Sequence, residues 1–342
     1  MSLPPHQQRY KRTKIKKNLA NRRNYSSSSW EKKFRDHTGK NHNRFQIVLL
    51  LQGSVVTSII PWIIFFTGYG FLISWLEYHE NHLVKHLALP DITTAVPSLI
   101  LSFNLILSLL LIFRTNAAYE RYWEGRKLWG ALVNAVRNLA RNISIIIAAE
   151  SETEKLEKEI TQKLVIAFAM AMKLHLRQEI INKELAALMS PSNYSKLQNT
   201  NHPPLEIALW IGEYLQESYH RNLVNVYQLN TLHQLVDELV NILGGCERIL
   251  KTPAPLAYSI FLKQLLVIYC LVFPVGLVNS LNWWTAPIMT LLSLILFGIE
   301  EIGSELENPF GRDANDLPLD RICDTISGNV GDLIAPNVNL DD

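Results

Sequence analysis

Charged residues are missing from three long stretches of this chain. There is no Asp, Glu, Lys or Arg from Phe45 to Leu76 or from Ile92 to Phe113, and from Leu256 to Ile299 the one charge is Lys263. A bilayer core takes roughly 20 apolar residues of helix, so each stretch is long enough to cross it. The first holds Pro61 and Gly68 and exceeds one crossing. It predicts a span that is tilted, kinked at Pro61 or partly outside the bilayer. The third is divided at Asn279 to Pro287 (NSLNWWTAP), where Trp283 and Trp284 suit an aromatic interface belt. It therefore predicts two spans, with Pro274 kinking the first of them. The pattern gives four transmembrane helices.

The second stretch does not stop where its apolar character stops. Val96 to Gly130 (VPSLILSFNLILSLLLIFRTNAAYERYWEGRKLWG) turns charge-studded at Arg114, with no Gly or Pro between Pro97 and Gly125. It predicts one rod passing from oil to water. Beyond it, helical spacing continues in Leu128, Leu132, Val136 and Leu139, in Leu164, Phe168 and Met172, and in Leu229, Leu232, Leu235, Leu239 and Leu243. No strand alternation appears. Ser190 to Pro204 predicts a loop, and Gly244 with Gly245 a break. Glu150 to Glu159 predicts a capped, solvated helix end.

The expected class is all-α: a polytopic membrane protein with a large helical cytosolic domain. Residues 1–44 form a basic arm, partly disordered or interfacial, with Trp30 and Phe34 on one face. Residues 45–114 hold spans one and two, 115–255 the cytosolic domain, 256–299 spans three and four, and 300–342 a C-terminal cytosolic segment.

Bulk composition conceals this organisation. The 342 residues are 48% hydrophobic and 19% charged, with a net charge of +2, values typical of soluble proteins. Yet residues 1–44 hold thirteen Lys and Arg against Glu31 and Asp36, while residues 300–342 hold eleven acids against Arg312 and Arg321. The basic arm suits anionic lipid headgroups or another acidic surface, and its Ser-rich run gives it some transit-peptide character. Four spans argue against nucleic acid as the partner. Arg114, Arg121, Arg126, Lys127, Arg137 and Arg141 follow span two, so both ends of the first hairpin belong on the cytosolic side. The second hairpin follows suit, placing both termini on the cytosolic or stromal side.

Little here suggests chemistry. Cys246, Cys270 and Cys323 form no CxxC and are expected to be reduced structural thiols. His79, His82 and His86 share a short loop, but their spacing is not that of a helical ligand pair plus a third. No HExxH, GxSxG or Walker A motif occurs, so neither an enzyme nor a cofactor is expected. Lys263 lies close enough to Pro255 to snorkel to the interface. A secondary transporter is disfavoured because the two hairpins share no pattern.

Four stretches, in order, resemble bacterial and plant-type bestrophin-like proteins, the voltage-dependent chloride-channel-like branch of the bestrophin family. They are FRTNAAYERYWEGRKLWG (Phe113 to Gly130), GGCERILKTPAPLAY (Gly244 to Tyr258), GIEEIGSELENPFG (Gly298 to Gly311) and DANDLPLDRIC (Asp313 to Cys323). The resemblance implies a homopentamer conducting chloride or other small anions, in a bacterial plasma membrane or a thylakoid membrane. A cation channel of the same fold is the alternative. The implied pore has an apolar neck lined by span two and an aperture at the cytosolic exit. Carried over through FRTNAAY, the neck falls on Leu105, Leu109 and Phe113. Their i, i+4, i+8 spacing fits one helix face, as it also fits lipid contact or packing. Apolar collars of this kind gate by dewetting. Aligned back from GCERI, the aperture falls on Tyr227, a position equally open to a core tyrosine. Ser98, Ser102, Arg114 and Asn116 are candidate polar residues of the pore or vestibule. Ser98 and Ser102 are equally candidates for helix–helix contacts, and Arg114 for ion pairing.

The chain departs from the family after NPFG. Animal bestrophins continue with an acidic calcium clasp, whereas this chain has Arg312, Asp313, Ala314, Asn315 and Asp316. Calcium takes six to eight oxygens, and Asp313 and Asp316 are only a remnant of such a set. No metal site is expected.

Overall fold

The computed structural model describes residues 55–80 and 96–335. The basic arm, the start of span one, His82 and His86 lie outside the described residues. Among those described, every regular element is a helix: α1 Val56–Glu80, α2 Val96–Ile146, α3 Glu152–Leu176, α4 Lys183–Ala186, α5 Pro191–Gln198, α6 Pro203–His220, α7 Val226–Lys251, α8 Leu256–Leu281, α9 Thr285–Glu307 and α10 Leu319–Ile334. A single 3-10 turn, Asn282–Trp284, joins α8 to α9.

Among the described residues, three stretches are long and apolar enough to cross a membrane: Val56–His79, Leu101–Ile146 and Leu256–Glu307. The third is α8, the turn and α9 together. Asn282 adopts φ 47° and ψ −123° there, a positive-φ conformation that cannot continue a right-handed helix, and this ends α8 at the predicted divide.

The rod exists. α2 is one helix of 51 residues, about 75 Å long at 1.5 Å per residue. It belongs to two separate cores. Leu107 and Leu111 pack in an apolar cluster with Phe66, Leu262, Leu266, Tyr269, Met289 and Phe297. Farther along, Trp129, Leu132, Val136, Leu139 and Ile143 pack with Phe168, Met172, Leu232 and Leu239. The boundaries expected at 114/115 and 299/300 both fall inside unbroken helices, α2 and α9.

Local sequence explains most helix ends. Ser151 and Glu154 form a reciprocal capping box that starts α3, as the acidic run predicted. Asn225 and Gln228 do the same for α7. Two expectations are corrected. Ser190 to Pro204 is not all loop: Ser190 caps the helix and Pro191 occupies its first turn, a favoured start, so α5 forms. Gly244 and Gly245 do not break α7. A Cβ on Gly245 would lie 3.0 Å from Leu128 Cδ2, so that glycine permits close packing of α7 on α2.

Cys246, Cys270 and Cys323 are buried free thiols. Burial pushes Cys246 and Cys323 up to about 12, which keeps them protonated. Lys173 and Arg177 donate to Asp320 at 2.8 and 2.9 Å, tying α3 to α10. Burial raises the Asp320 carboxyl, but these two cations outweigh it and hold the group below its ordinary range.

Candidate functional site

One side of α2 is exposed along most of its length. At 100° per residue, positions 102, 105, 109, 113, 116, 120, 127, 134 and 141 fall within about 40° of a single line. All nine are exposed. Leu105, Leu109 and Phe113 are 74%, 51% and 58% exposed. The same register passes through Ser98, where only the backbone is described. The opposite side carries Leu107, Leu111, Arg114 and Ala118, none more than 5% exposed.

The exposed row changes its main character after Phe113. After Ser102 it is apolar through Phe113, then mainly polar from Asn116 onward, through Glu120, Lys127, Asn134 and Arg141, although exposed Trp123 and Ile145 fall on the same line. A Leu-rich helix that faced its own bundle on all sides would have no such row. Leu105, Leu109, Phe113, Ser102 and Asn116 therefore share one surface.

Arg114 does not share it. It points about 140° away from the Leu109 line and is buried. Its Nη1 donates to Ser259 Oγ at 2.6 Å. Its Nη2 lies 3.6 Å from Glu300 and 3.5 Å from Glu307. A guanidinium so buried requires such partners, so Arg114 is an anchor between α2, α8 and α9, and the vestibule role expected of it is not supported by its position. Lys263 also reaches Glu300, at 3.6 Å, while remaining half exposed. It is paired as well as near solvent.

Other polar contacts fix the rod's rotation. Tyr258 donates to the Leu110 carbonyl at 2.7 Å, and the Tyr269 hydroxyl donates to Asn104 Oδ1. Arg121 donates to the carbonyls of Ile249 and Thr252 at the end of α7 and of Glu307 at the end of α9, satisfying orphan carbonyls of both helices. Glu124 pairs with Arg248 of α7, and Arg126 lies 5.3 Å over the Trp123 ring. The sequence held a faint signal for this junction: Glu300, Glu301, Glu305 and Glu307 gather at the end of an apolar stretch, opposite the arginines after span two. Nothing in the one-dimensional pattern paired them.

Tyr227 sits in the first turn of α7 and is 83% exposed, beside Val226 at 55%. It is not a core tyrosine of the chain. His79 stacks near Trp75, with ring centroids 4.7 Å apart.

The remnant acids after NPFG serve a local turn. Asp316 Oδ2 accepts from the Asp313 backbone N–H at 2.7 Å, Asn315 donates to Glu305 at 2.6 Å, and Arg312 forks onto Glu179 at 2.6 and 2.9 Å. Burial, with Asp313 and Glu305 nearby, pushes the Asp316 carboxyl up to about 6.

Residues 36–332 match the family described as Bacterial/Fungal Bestrophin protein. A voltage-dependent anion channel-forming protein of Nostoc sp. is 49% identical over 300 residues, covering 87% of this chain and 94% of the relative. A protein of the same description from Synechocystis sp. is 47% identical over 288 residues, covering 84% and 91%. Among solved structures, a bacterial bestrophin homolog from Klebsiella pneumoniae superposes with a TM-score of 0.71 at 27% identity, covering 80% of this chain and 98% of that one.

Proposed function

Because the chain belongs to the bacterial/fungal bestrophin family, we propose that it is a passive anion channel, conducting chloride and other small anions through a pore lined by α2. The observation that carries this reading is the row Leu105, Leu109 and Phe113: uncharged, more than half exposed in the single chain, and opposite the face that α2 buries in its own bundle. Apolar side chains in that position are covered either by lipid or by further copies of the chain, and family membership favours the copies. In this reading five copies supply the cover, surrounding an axis so that the three residues form stacked collars. α1, α2, α8 and α9 make four spans per subunit, with both termini on the cytosolic or stromal side.

A dry apolar collar blocks ions without carrying charge, and slight widening wets it. Beyond the neck the row carries Lys127 and Arg141 against the single acid Glu120, and Arg126 and Arg137 are exposed to one side of it. These positive side chains favour anions in the cytosolic vestibule, where Asn116 and Ser102 supply neutral polar contacts on either side of the collars. Tyr227 is assigned to a second constriction at the cytosolic exit.

The collars themselves do not encode a sign of charge, so a cation channel of the same fold is the competing reading. The deciding measurement is the reversal potential of the purified protein in a planar bilayer under asymmetric KCl. A potential near that of chloride supports the assignment, and one near that of potassium replaces it.

A further inference from the structure

In the helical domain, away from the α2 row, three side chains from three elements converge. His175 lies in the last turn of α3, His202 is the N-cap of α6, and Glu247 lies in the C-terminal part of α7. Both imidazole Nε2 atoms are 2.7 Å from the same oxygen, Glu247 Oε1. The two rings have centroids 4.5 Å apart. The three candidate ligand atoms all lie within 4.8 Å of one another. His175 and His202 are 72 and 45 positions from Glu247 in sequence, so only the fold unites them.

We propose that His175, His202 and Glu247 bind one divalent transition-metal ion of the zinc class. Two imidazole nitrogens and one carboxylate oxygen are a common three-ligand set for zinc, with the fourth position left to water or a ligand. The set is nitrogen-rich and lacks the oxygen cage that calcium and magnesium require. Zinc–ligand bonds of about 2.0–2.2 Å at tetrahedral angles separate adjacent donor atoms by roughly 3.3 Å. The present 2.7 Å contacts must therefore open by about half an ångström, within the reach of side-chain rotation. His175 also lines a cavity of about 570 Å³ with Gln178, Glu179, Gln198, Thr200 and Asn201, although His202 and Glu247 do not line it.

Proton accounting is simple. Each Nε2 now faces Glu247 as a donor, and the ion replaces that proton. In each ring the proton moves to Nδ1, and in His202 this gives up the bond that Nδ1 now accepts from the Leu205 N–H at 3.4 Å. That bond is at the long limit of the range, so little is lost. Lys251 pairs with the other carboxylate oxygen, Oε2, at 3.0 Å and leaves Oε1 to the ion.

An ion here would clamp α3, α6 and α7. Arg248, next to Glu247, pairs with Glu124 of α2, and the far end of α7 carries Tyr227. The clamp would thus brace α7 between the rod and its exposed N-terminus. The inference does not depend on the channel reading.

The test uses the full-length protein, stripped with a chelator and titrated with zinc sulfate by calorimetry, beside His202→Asn and His175→Gln. Asn keeps the N-cap of α6, so loss of binding in that variant is not loss of the helix. Wild type is expected to bind one zinc ion per chain that both variants lack or bind about tenfold or more weakly, and zinc should raise the melting temperature of wild type alone. Equal stoichiometry and affinity in all three proteins overturns the proposal. A second readout needs no variant: the zinc-edge X-ray absorption spectrum of the wild type loaded with one equivalent should show two imidazole ligands, and a spectrum with none overturns the assignment.

Discussion

Arg114 Nη2 lies 3.6 Å from Glu300 Oε1, with the two side chains 5% and 4% exposed. The pair sits where α2 leaves its apolar cluster and where α9 ends its own, so it joins the apolar cluster to the helical domain one residue beyond Phe113. Glu307, Ser259 and Lys263 complete the network. Removing one partner of such a pair strands the other, which costs about 3–5 kcal/mol. Arg114→Ala is therefore expected to melt well below wild type in detergent. Arg114→Ala combined with Glu300→Gln should recover part of the loss. Equal melting of the single and double variants would show that the pair does not hold the junction.

Leu107 and Leu109 are two residues apart on α2 and have opposite fates. Leu107 is 2% exposed and Leu109 is 51% exposed. Leu107→Ala should destabilise by about 2–5 kcal/mol through the cavity it leaves, with little change in single-channel conductance where the variant assembles. Leu109→Ala, Leu105→Ala and Phe113→Ala should each raise conductance in planar bilayers and cost less stability. Unchanged currents in all three would remove the row from the neck.

Gly244 and Gly245 offer a matched pair of substitutions in one helix. A Cβ on Gly244 meets nothing within 4 Å in the chain, whereas on Gly245 it meets Leu128 at 3.0 and 3.1 Å. Gly to Ala in a helix interior ordinarily gains about 1 kcal/mol. Gly244→Ala is expected to realise most of that gain. Gly245→Ala should lose it to displacement of Leu128, and Gly245→Val should be clearly destabilising. Thermal melts of the three variants, run side by side, check the order.

Asp316 makes stability depend on pH in a direction that can be worked out. Its carboxyl is pushed up to about 6 in the folded chain, by burial first and then by Asp313 and Glu305, while the Asp313 N–H and Arg177 pull it down. Unfolded, it titrates near 3.9. Between these values the folded state binds more protons than the unfolded state, so this group lowers stability as pH rises through the window. Asp316→Asn removes the ionisation and keeps an oxygen to accept the Asp313 N–H. The melting temperature of the variant minus that of wild type should climb from about pH 4 to about pH 6 and level off above. A difference that stays flat across this range rules the effect out.

The turn after NPFG shows what could be read before the fold: local turn hydrogen bonds by Asp313, Asn315 and Asp316. Short polar side chains after a helix end suit such turns, and Asp316 accepts from the Asp313 N–H while Asn315 donates to Glu305. Arg114 shows the opposite. As the first charge after an apolar run it looked wet, and it is among the least exposed charged residues described. One residue of helix rotation decides between those outcomes, and rotation is set by Tyr258, Tyr269 and Glu300, which lie far along the chain.

The amino-acid sequence by itself determined the helical class, the apolar stretches and the continuity of α2 across the Phe113–Arg114 join. These are local properties. A membrane demands backbone bonds satisfied within the segment and apolar side chains along it, so the constraint is written into consecutive residues. Tertiary structure alone decided which side of α2 stays exposed, that α7 runs through two glycines, that Arg121 closes the end of α7, and that His175, His202 and Glu247 meet. Each of those depends on how helices rotate and pack against partners tens to hundreds of residues away, and no window of sequence contains both sides of such a contact.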